Sequence, residues 1–581
     1  MLLTPDQKLA GILTPLFALR GPHDLGIGDV GALRELVDWA ADQGFGLVQL
    51  LPINETGNDH SPYNAISSVA LDPLTIELNP LSMPDLTEAD FTELTAEWDL
   101  GKLRRGPINY PVVKRLKLKL LARAFERFSA GSWKKNDSRA RKFRAFCQAE
   151  KAWLEDYALF RVLMDEHGTE CWDTWPATQQ TAGNARAWLA AQTASARRPL
   201  ELKMRGAMYR QWIGWTQWKE AKAHADTRRV ALMGDIPFGV SYYSADTWAN
   251  PEIFDLKWSG GCPPERILEV DAFTKKWGQN WGIPLYRWNV LRKRDFDWWR
   301  QRVRKVRDVF HLFRIDHLLG IFRIYSFPWR PERNEEFLPL TEEEAKERTR
   351  NQLPHFTPHS DERPKDAESN RRQGEEILHV LLEECGEWRL IGEDLGEVPP
   401  YVRPTLQKLG IAGFKIPQWE TEPNHTLTPG DRYERVSLVT YATHDHEPLR
   451  AMWEGCMREI AAARNDDPAS LHRRDMGWAA CRNLAAYAGF AVPEITPWSD
   501  DVHEKLLGAI LHSNSWLCIF MITDLFASRQ RFNVPGGISE SNWSERLELP
   551  VKAWENDEKL TLKMARVRQV MRESERLSPV E

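Results

Sequence analysis

The run VFHLFRIDH, residues 309–317, decides the fold. Its first seven residues are apolar except for His311 and Arg314, as expected of a strand buried on both faces, and the run ends on Asp316 and His317. Two further runs end in the same way: 389–394 carries Glu393 in GEDLG, and 436–442 leads into Asp445 in ATHDH. Working outward, five more apolar runs lie at 10–19, 44–53, 230–238, 412–416 and 516–522, with helix-like segments between them. Eight such strands predict an α/β fold, a (β/α)8 TIM barrel, in which chemistry is built at the carboxyl ends of the strands. The three acids fall there, on strands four, five and seven.

A chain of 581 residues exceeds one plain barrel, so large insertions are expected. The barrel is assigned to 1–80 and 228–581. Its first helix should be capped by Asp29 and bury Leu33, Leu36, Val37 and Ala40. Residues 81–227 read as a helical insertion, with Trp153, Tyr157, Phe160 and Met164 at helical spacing. Residues 240–292, rich in Gly, Pro and Trp, read as an irregular active-site loop insertion within the barrel. The charged stretch 341–376 reads as a solvated helix and mobile loop, 447–505 as helices, and the tail beyond 551 as a terminal helix.

A net charge of −6, with both signs interspersed, gives no footprint for nucleic acid or an anionic membrane. The amino terminus lacks the pattern of an export signal, and the seven cysteines are widely spaced without a CxxC pair, so a cytoplasmic setting is expected. The 26 tryptophans suit a cleft that stacks sugar rings, although Trp212, Trp215 and Trp218 recur at helical spacing as a core stripe.

Two carboxyl groups on one face form the minimal kit for glycoside chemistry. Arg314, two residues before Asp316, points to the same side of its strand and should keep that carboxylate ionised as a nucleophile. Leu390 and Ile391 suggest an apolar setting for Glu393, and Asp394 beside it adds negative charge; both would raise its pKa and suit a general acid and base. Asp445 supplies a third carboxylate for sugar hydroxyls and developing positive charge. Tyr63, Asp235, Gln279 and Trp281 fall at or after strand ends as candidates for shaping the cleft, and Asn542 and Trp543 follow strand eight.

Two further motifs compete with this reading. His444, Asp445, His446 and Glu447 invite a metal reading, with Asp524 as a further ligand, but strands five and six supply no histidine; no metal is expected. Gly26, Gly28 and Gly31 satisfy GxGxxG, yet Asp24 and Asp29 flank them and would repel a pyrophosphate, so a tight turn without cofactor is expected.

Taken in order, DLGIGDVG, HSPYNAIS, WLEDYALF, GDIPFGV, SADTWANPE, GQNWGIPLYRW, FRIDH, GEDLG, THD and VPGGISESNW resemble the 4-α-glucanotransferase family, also called amylomaltase or disproportionating enzyme, over nearly the whole chain. The segment from GQNWGIPLYRW through FRIDHLLGIFRIYSFP is similar to the subgroup of the plant cytosolic disproportionating enzyme. The resemblance implies a retaining, two-step transfer of α-1,4-glucan units among oligosaccharides, maltose and glucose, without cofactor. It makes Asp316 the nucleophile, Glu393 the acid/base and Asp445 the transition-state stabiliser, with Arg314, His317 and His444 around the donor sugar. The chain departs from the family at Tyr243, at His446 and in the loop PPERILEVDAFTKKWGQ, where Phe273 or Trp277 would replace an aromatic lid. A hydrolase using the same acids, and a glycan-binding protein without turnover, remain as alternatives.

Overall fold

A computed structural model describes residues 3–578 except 265–270, 424–425, 465 and 536–540. Among the described residues there are twelve strands: β1 (Leu9–Leu13), β2 (Leu47–Gln49), β3 (Ala231–Ile236), β4 (Phe254–Cys262), β5 (Gln279–Tyr286), β6 (Leu312–Ile315), β7 (Ile324–Phe327), β8 (His355–Thr357), β9 (Leu390–Gly392), β10 (Ala412–Lys415), β11 (Ser437–Val439) and β12 (Leu517–Met521). Eight of them, β1, β2, β3, β6, β9, β10, β11 and β12, pair in parallel and close as a barrel, β12 returning to β1 with Leu9 opposite Leu517. These are the eight runs read from the sequence, each shorter than its run. The first run, for example, turns into a 3-10 helix at Leu16–Ala18 after only five strand residues.

Hydrophobic burial explains why the runs behave so. Every residue of β1, β6, β9, β10, β11 and β12 is buried, which requires cover on both faces: side chains fill the barrel inside and helices coat it outside. The first helix, Val30–Asp42, begins where the Asp29 carboxylate accepts the Gly31 and Ala32 N–H groups, and it buries Leu33, Leu36, Val37 and Ala40. Between β2 and β3 all regular elements from Glu88 onward are helical, ending in the 34-residue helix Ala194–Thr227, whose Trp212, Trp215 and Trp218 are buried. Three helices lie between β11 and β12, and Glu558–Glu573 forms the terminal helix.

The stretch 240–292 is not irregular. It contributes β4 and β5 to a second, antiparallel sheet of order β5-β4-β7-β8. Its outer strand, β8, comes from the charged stretch expected to be helix and mobile loop, which forms helix Glu342–Arg348, β8 and the start of helix Pro364–Cys385. Strand period is hard to read there because β4 pairs with β5 through register shifts that break the alternation. Phe273 and Trp277, proposed as lid aromatics, pack into the core of this sheet: Phe273 stacks on Phe327, and Trp277 is buried against Trp329 with its N–H on the Phe337 carbonyl. The lid segment 265–270 lies outside the described residues. No helix among the described residues is long and apolar enough to cross a membrane.

Candidate active site

Parallel register places the acids. Asp235 of β3 lies opposite Arg314 of β6, which lies opposite Ile391 of β9, so Asp235, Asp316 and Glu393 emerge at neighbouring points of the same barrel rim. Arg314 is buried and joins all three. Its Nη1 donates to Asp235 Oδ2 at 2.6 Å, and its Nη2 donates to Asp316 Oδ1 at 2.8 Å and stands 3.4 Å from Glu393 Oε1. The same-side placement of Arg314 and Asp316 follows from the two-residue strand repeat.

Directly after Asp316 the chain turns through His317, whose φ of +45° lies in the left-handed region. That turn aims the His317 N–H at Glu393 Oε2, 2.6 Å away. The His317 ring meets the edge of Trp281 at 4.7 Å, and burial lowers its pKa to about 4, so the ring is neutral. Trp281 is itself exposed on β5, with its N–H on Gln279 Oε1 at 3.1 Å. The second sheet thus brings Gln279 and Trp281 to the barrel rim.

Tyr63, from the loop after β2, donates its hydroxyl to Asp235 Oδ2 at 2.7 Å, and its ring stacks on His444 with centroids 4.9 Å apart. Burial raises the Tyr63 phenol well above its ordinary range, which keeps it a donor. Asp235 Oδ1 is buried without a protein hydrogen-bond partner. His444 places Nε2 3.2 Å from Asp445 Oδ2, and burial lowers its pKa.

Two expectations about the electrostatics need correction. Arg314 does contact Asp316, but burial pushes the Asp316 carboxyl upward more strongly than Arg314 pulls it down, with Glu393, Asp235 and Asp445 adding to the rise. Asp316 nevertheless keeps 28 % of its side-chain surface open to the cleft. Around Glu393 the setting is polar, formed by the His317 N–H and Arg314. Asp394 turns elsewhere, accepting the Phe414 N–H at 2.6 Å and pairing with Arg403 at 3.1 Å, and its own burial raises it to about 6.

The Asn542 side chain accepts the Val534 N–H at 3.0 Å and donates to the Val534 carbonyl at 3.3 Å. The asparagine at the acids is Asn533, which donates to Asp445 Oδ1 at 2.6 Å, while Arg531 donates to the Asp445 carbonyl at 2.6 Å. Sequence reading passed over both, although RFN follows β12 as a polar segment at a strand's carboxyl side. A hydrogen bond to a charged group contributes about 1.5–3 kcal/mol, so Asn533→Ala is expected to lower kcat by about tenfold with KM little changed. Steady-state kinetics of the native protein and the variant on the same substrate checks this; an unchanged kcat would remove Asn533 from the site.

The metal and nucleotide motifs have ordinary partners. His446 Nδ1 lies 2.8 Å from the Thr443 hydroxyl, and Asp524 accepts the Leu449 N–H at 2.7 Å. Asp24 accepts the Gly21 and Gly26 N–H groups and pairs with the buried Arg546, so the glycine turn is filled from within. Burial raises Asp524 from its ordinary 3.8 to about 7. A carboxyl raised on folding costs stability as pH climbs from about 4 to about 7 and costs nothing below that window. Asp524→Asn is therefore expected to match the native protein at pH 4 and to be more stable at pH 8 by a few kcal/mol, roughly. Urea midpoints at the two pH values test it, and equal shifts at both would refute the assignment.

With the geometry in place, comparison with known proteins gives one answer. The 4-alpha-glucanotransferase family model matches residues 14–551. The 4-alpha-glucanotransferase of Chlamydia pneumoniae is 30% identical over 92% of this chain and 91% of its own length. That of Thermus thermophilus is 29% identical over 92% and 94%. The rice 4-alpha-glucanotransferase DPE2 is 33% identical over 55% of this chain and 32% of its own length. Among solved structures, the amylomaltase from Streptococcus agalactiae in complex with acarbose shares the fold, with a TM-score of 0.72 at 21% identity, covering 98% of this chain and all of that one. The chain, with its closed barrel and its arginine-linked acids, belongs to the 4-alpha-glucanotransferase family.

Proposed function

We propose that this chain moves α-1,4-glucan segments or glucose from a maltooligosaccharide donor to a glucan or glucose acceptor by double displacement, with Asp316 as nucleophile, Glu393 as acid and then base, and Asp445 as transition-state stabiliser. One observation carries the mechanism: Asp316 and Glu393 both lie on Arg314 Nη2, at 2.8 and 3.4 Å. Sharing one guanidinium nitrogen keeps the two carboxyl groups close together, which is compatible with the roughly 5–5.5 Å separation of retaining enzymes and direct attack by one of them.

Arg314 Nη2 is nearer to Asp316 than to Glu393, at 2.8 against 3.4 Å, which orients Asp316 as the attacking carboxylate and leaves Glu393 to deliver a proton to the leaving glucan oxygen. Attack on the anomeric carbon forms the Asp316–C1 ester as the C1–O bond breaks, and Glu393 protonates the departing 4-oxygen. Glu393 then takes the proton from an acceptor 4-hydroxyl, whose oxygen displaces Asp316 and restores the α linkage. Asp445, held by Asn533 and adjacent to His444, faces the positive charge that grows on the ring in each step. Asp235 Oδ1 and Trp281 supply a hydroxyl acceptor and a stacking ring for the bound sugar.

Incubation with maltotriose tests the reading. A transferase produces a ladder of longer oligosaccharides plus glucose with little net gain of reducing ends, whereas a steady rise in reducing ends supports the hydrolase and no change supports a binding protein.

A further inference from the structure

The helical excursion between β2 and β3 reaches the wall behind the cleft through Tyr110. Helix Tyr110–Phe128 starts on this residue, with Asn109 as its cap. The Tyr110 ring lies flat on His60, centroids 3.9 Å apart and planes 7° apart. Its hydroxyl donates to the Trp543 carbonyl at 2.6 Å, and the nearby Ile108 N–H donates to the Ser544 carbonyl at 2.7 Å. Both bonds span more than four hundred residues of chain and close a buried joint.

Trp543 has need of such a joint. Its φ of +62° is rarely adopted by a bulky side chain and persists only where surrounding contacts over-determine it. Besides the Tyr110 bond, its N–H donates to the Phe532 carbonyl at 2.8 Å, one residue before Asn533. The Trp543 ring is buried against Phe17 on one side and stands behind Tyr63 at 6.1 Å and His444 at 5.9 Å. Tyr63 in turn holds Asp235 through its hydroxyl, and His444 Nε2 stands 3.2 Å from Asp445 Oδ2. A shift of Trp543 therefore reaches two of the acids through one layer of packed rings.

We propose that Tyr110 is a positioning residue for transfer: its hydroxyl, acting on the Trp543 carbonyl, fixes the wall of Tyr63 and His444 and through it the orientation of Asp445. The proposal rests on the reading that these acids carry out glucan transfer. A displacement of the order of 1 Å at reacting groups costs up to roughly 10²-fold in rate, so a partly loosened wall is expected to cost about tenfold.

The variant Tyr110→Phe keeps the ring, its stack on His60 and its volume, and removes only the hydroxyl. Expected for maltotriose disproportionation are a kcat about tenfold lower and a KM within about twofold of native. A purely structural role would lower the thermal midpoint without that split between kcat and KM. Trp543→Ala is expected to lower kcat by itself. The double variant should be no slower than Trp543→Ala alone, because Tyr110 acts through Trp543; additive losses overturn the proposal, as does a native kcat in Tyr110→Phe. Should Tyr110→Phe not fold, His60→Ala, which removes only the ring that orients Tyr110, is expected to lower kcat in the same direction at unchanged KM, and native kcat there overturns the proposal instead. Native protein run in parallel separates the two readings. If it makes no ladder, the transferase reading fails; if it makes one and the variants match it, only the role of Tyr110 fails.

Discussion

Asp316→Asn is expected to lower kcat for maltotriose disproportionation by about 10⁴-fold or more while oligosaccharide binding stays within a few-fold of native. An amide cannot displace a glucan oxygen to form a stable glycosyl ester, so the first step loses its nucleophile altogether. Binding should survive because Asn has the same shape and still presents an oxygen to Arg314 Nη2. The guanidinium also keeps its contact with Asp235 at 2.6 Å, so no buried charge is stranded. Product chromatography reads the activity, and titration calorimetry with a long maltooligosaccharide reads the binding. A ladder formed at the native rate would exclude Asp316 as the nucleophile.

Glu393→Gln should separate the two halves of the reaction. Proton transfer by a positioned acid or base contributes about 10²–10⁴-fold, and kcat on maltotriose is expected to fall by that much. With an α-maltosyl fluoride donor the picture changes, because fluoride leaves without protonation. Attack by Asp316 then remains fast while deglycosylation, which needs Glu393 as base, remains slow. The covalent adduct should accumulate on the peptide that contains Asp316, where mass spectrometry finds it. Equal loss on both donors, with no adduct, would assign Glu393 a binding role rather than acid/base work. The Gln side chain still accepts the His317 N–H, so the turn at His317 is expected to hold.

The barrel was legible because its signal is local. Runs such as 309–315 and 516–522 need only their own composition to declare strands buried on both faces, and a residue directly after such a run has to sit at the barrel rim. Asp316 and Glu393 could be placed in that way, as could the stripe of Trp212, Trp215 and Trp218. Arg314 and Asp316 were assigned to the same side from the two-residue repeat alone, and they touch at 2.8 Å.

Other features were not legible, each for a physical reason. The second sheet escaped notice because β4 and β5 pair through register shifts, and because β7 and β8 are only four and three residues long, too short to display a period. The contact of Asn533 with Asp445 spans 88 residues of chain and has no local pattern that announces it. The balance at Asp316 was judged from one neighbour, whereas burial and three other carboxylates act on it together.

By itself, the amino-acid sequence determined the eight-strand barrel, the rim position of the acids and the family, since each depends on patterns that span a few residues. Only the tertiary structure decided that one guanidinium binds Asp235, Asp316 and Glu393, that Asn533 holds Asp445, and that Tyr110 reaches across the molecule to Trp543. Apart from Arg314 with Asp316, those contacts join segments from tens to hundreds of residues apart, and their geometry exists only once the barrel has closed and brought the strand ends together.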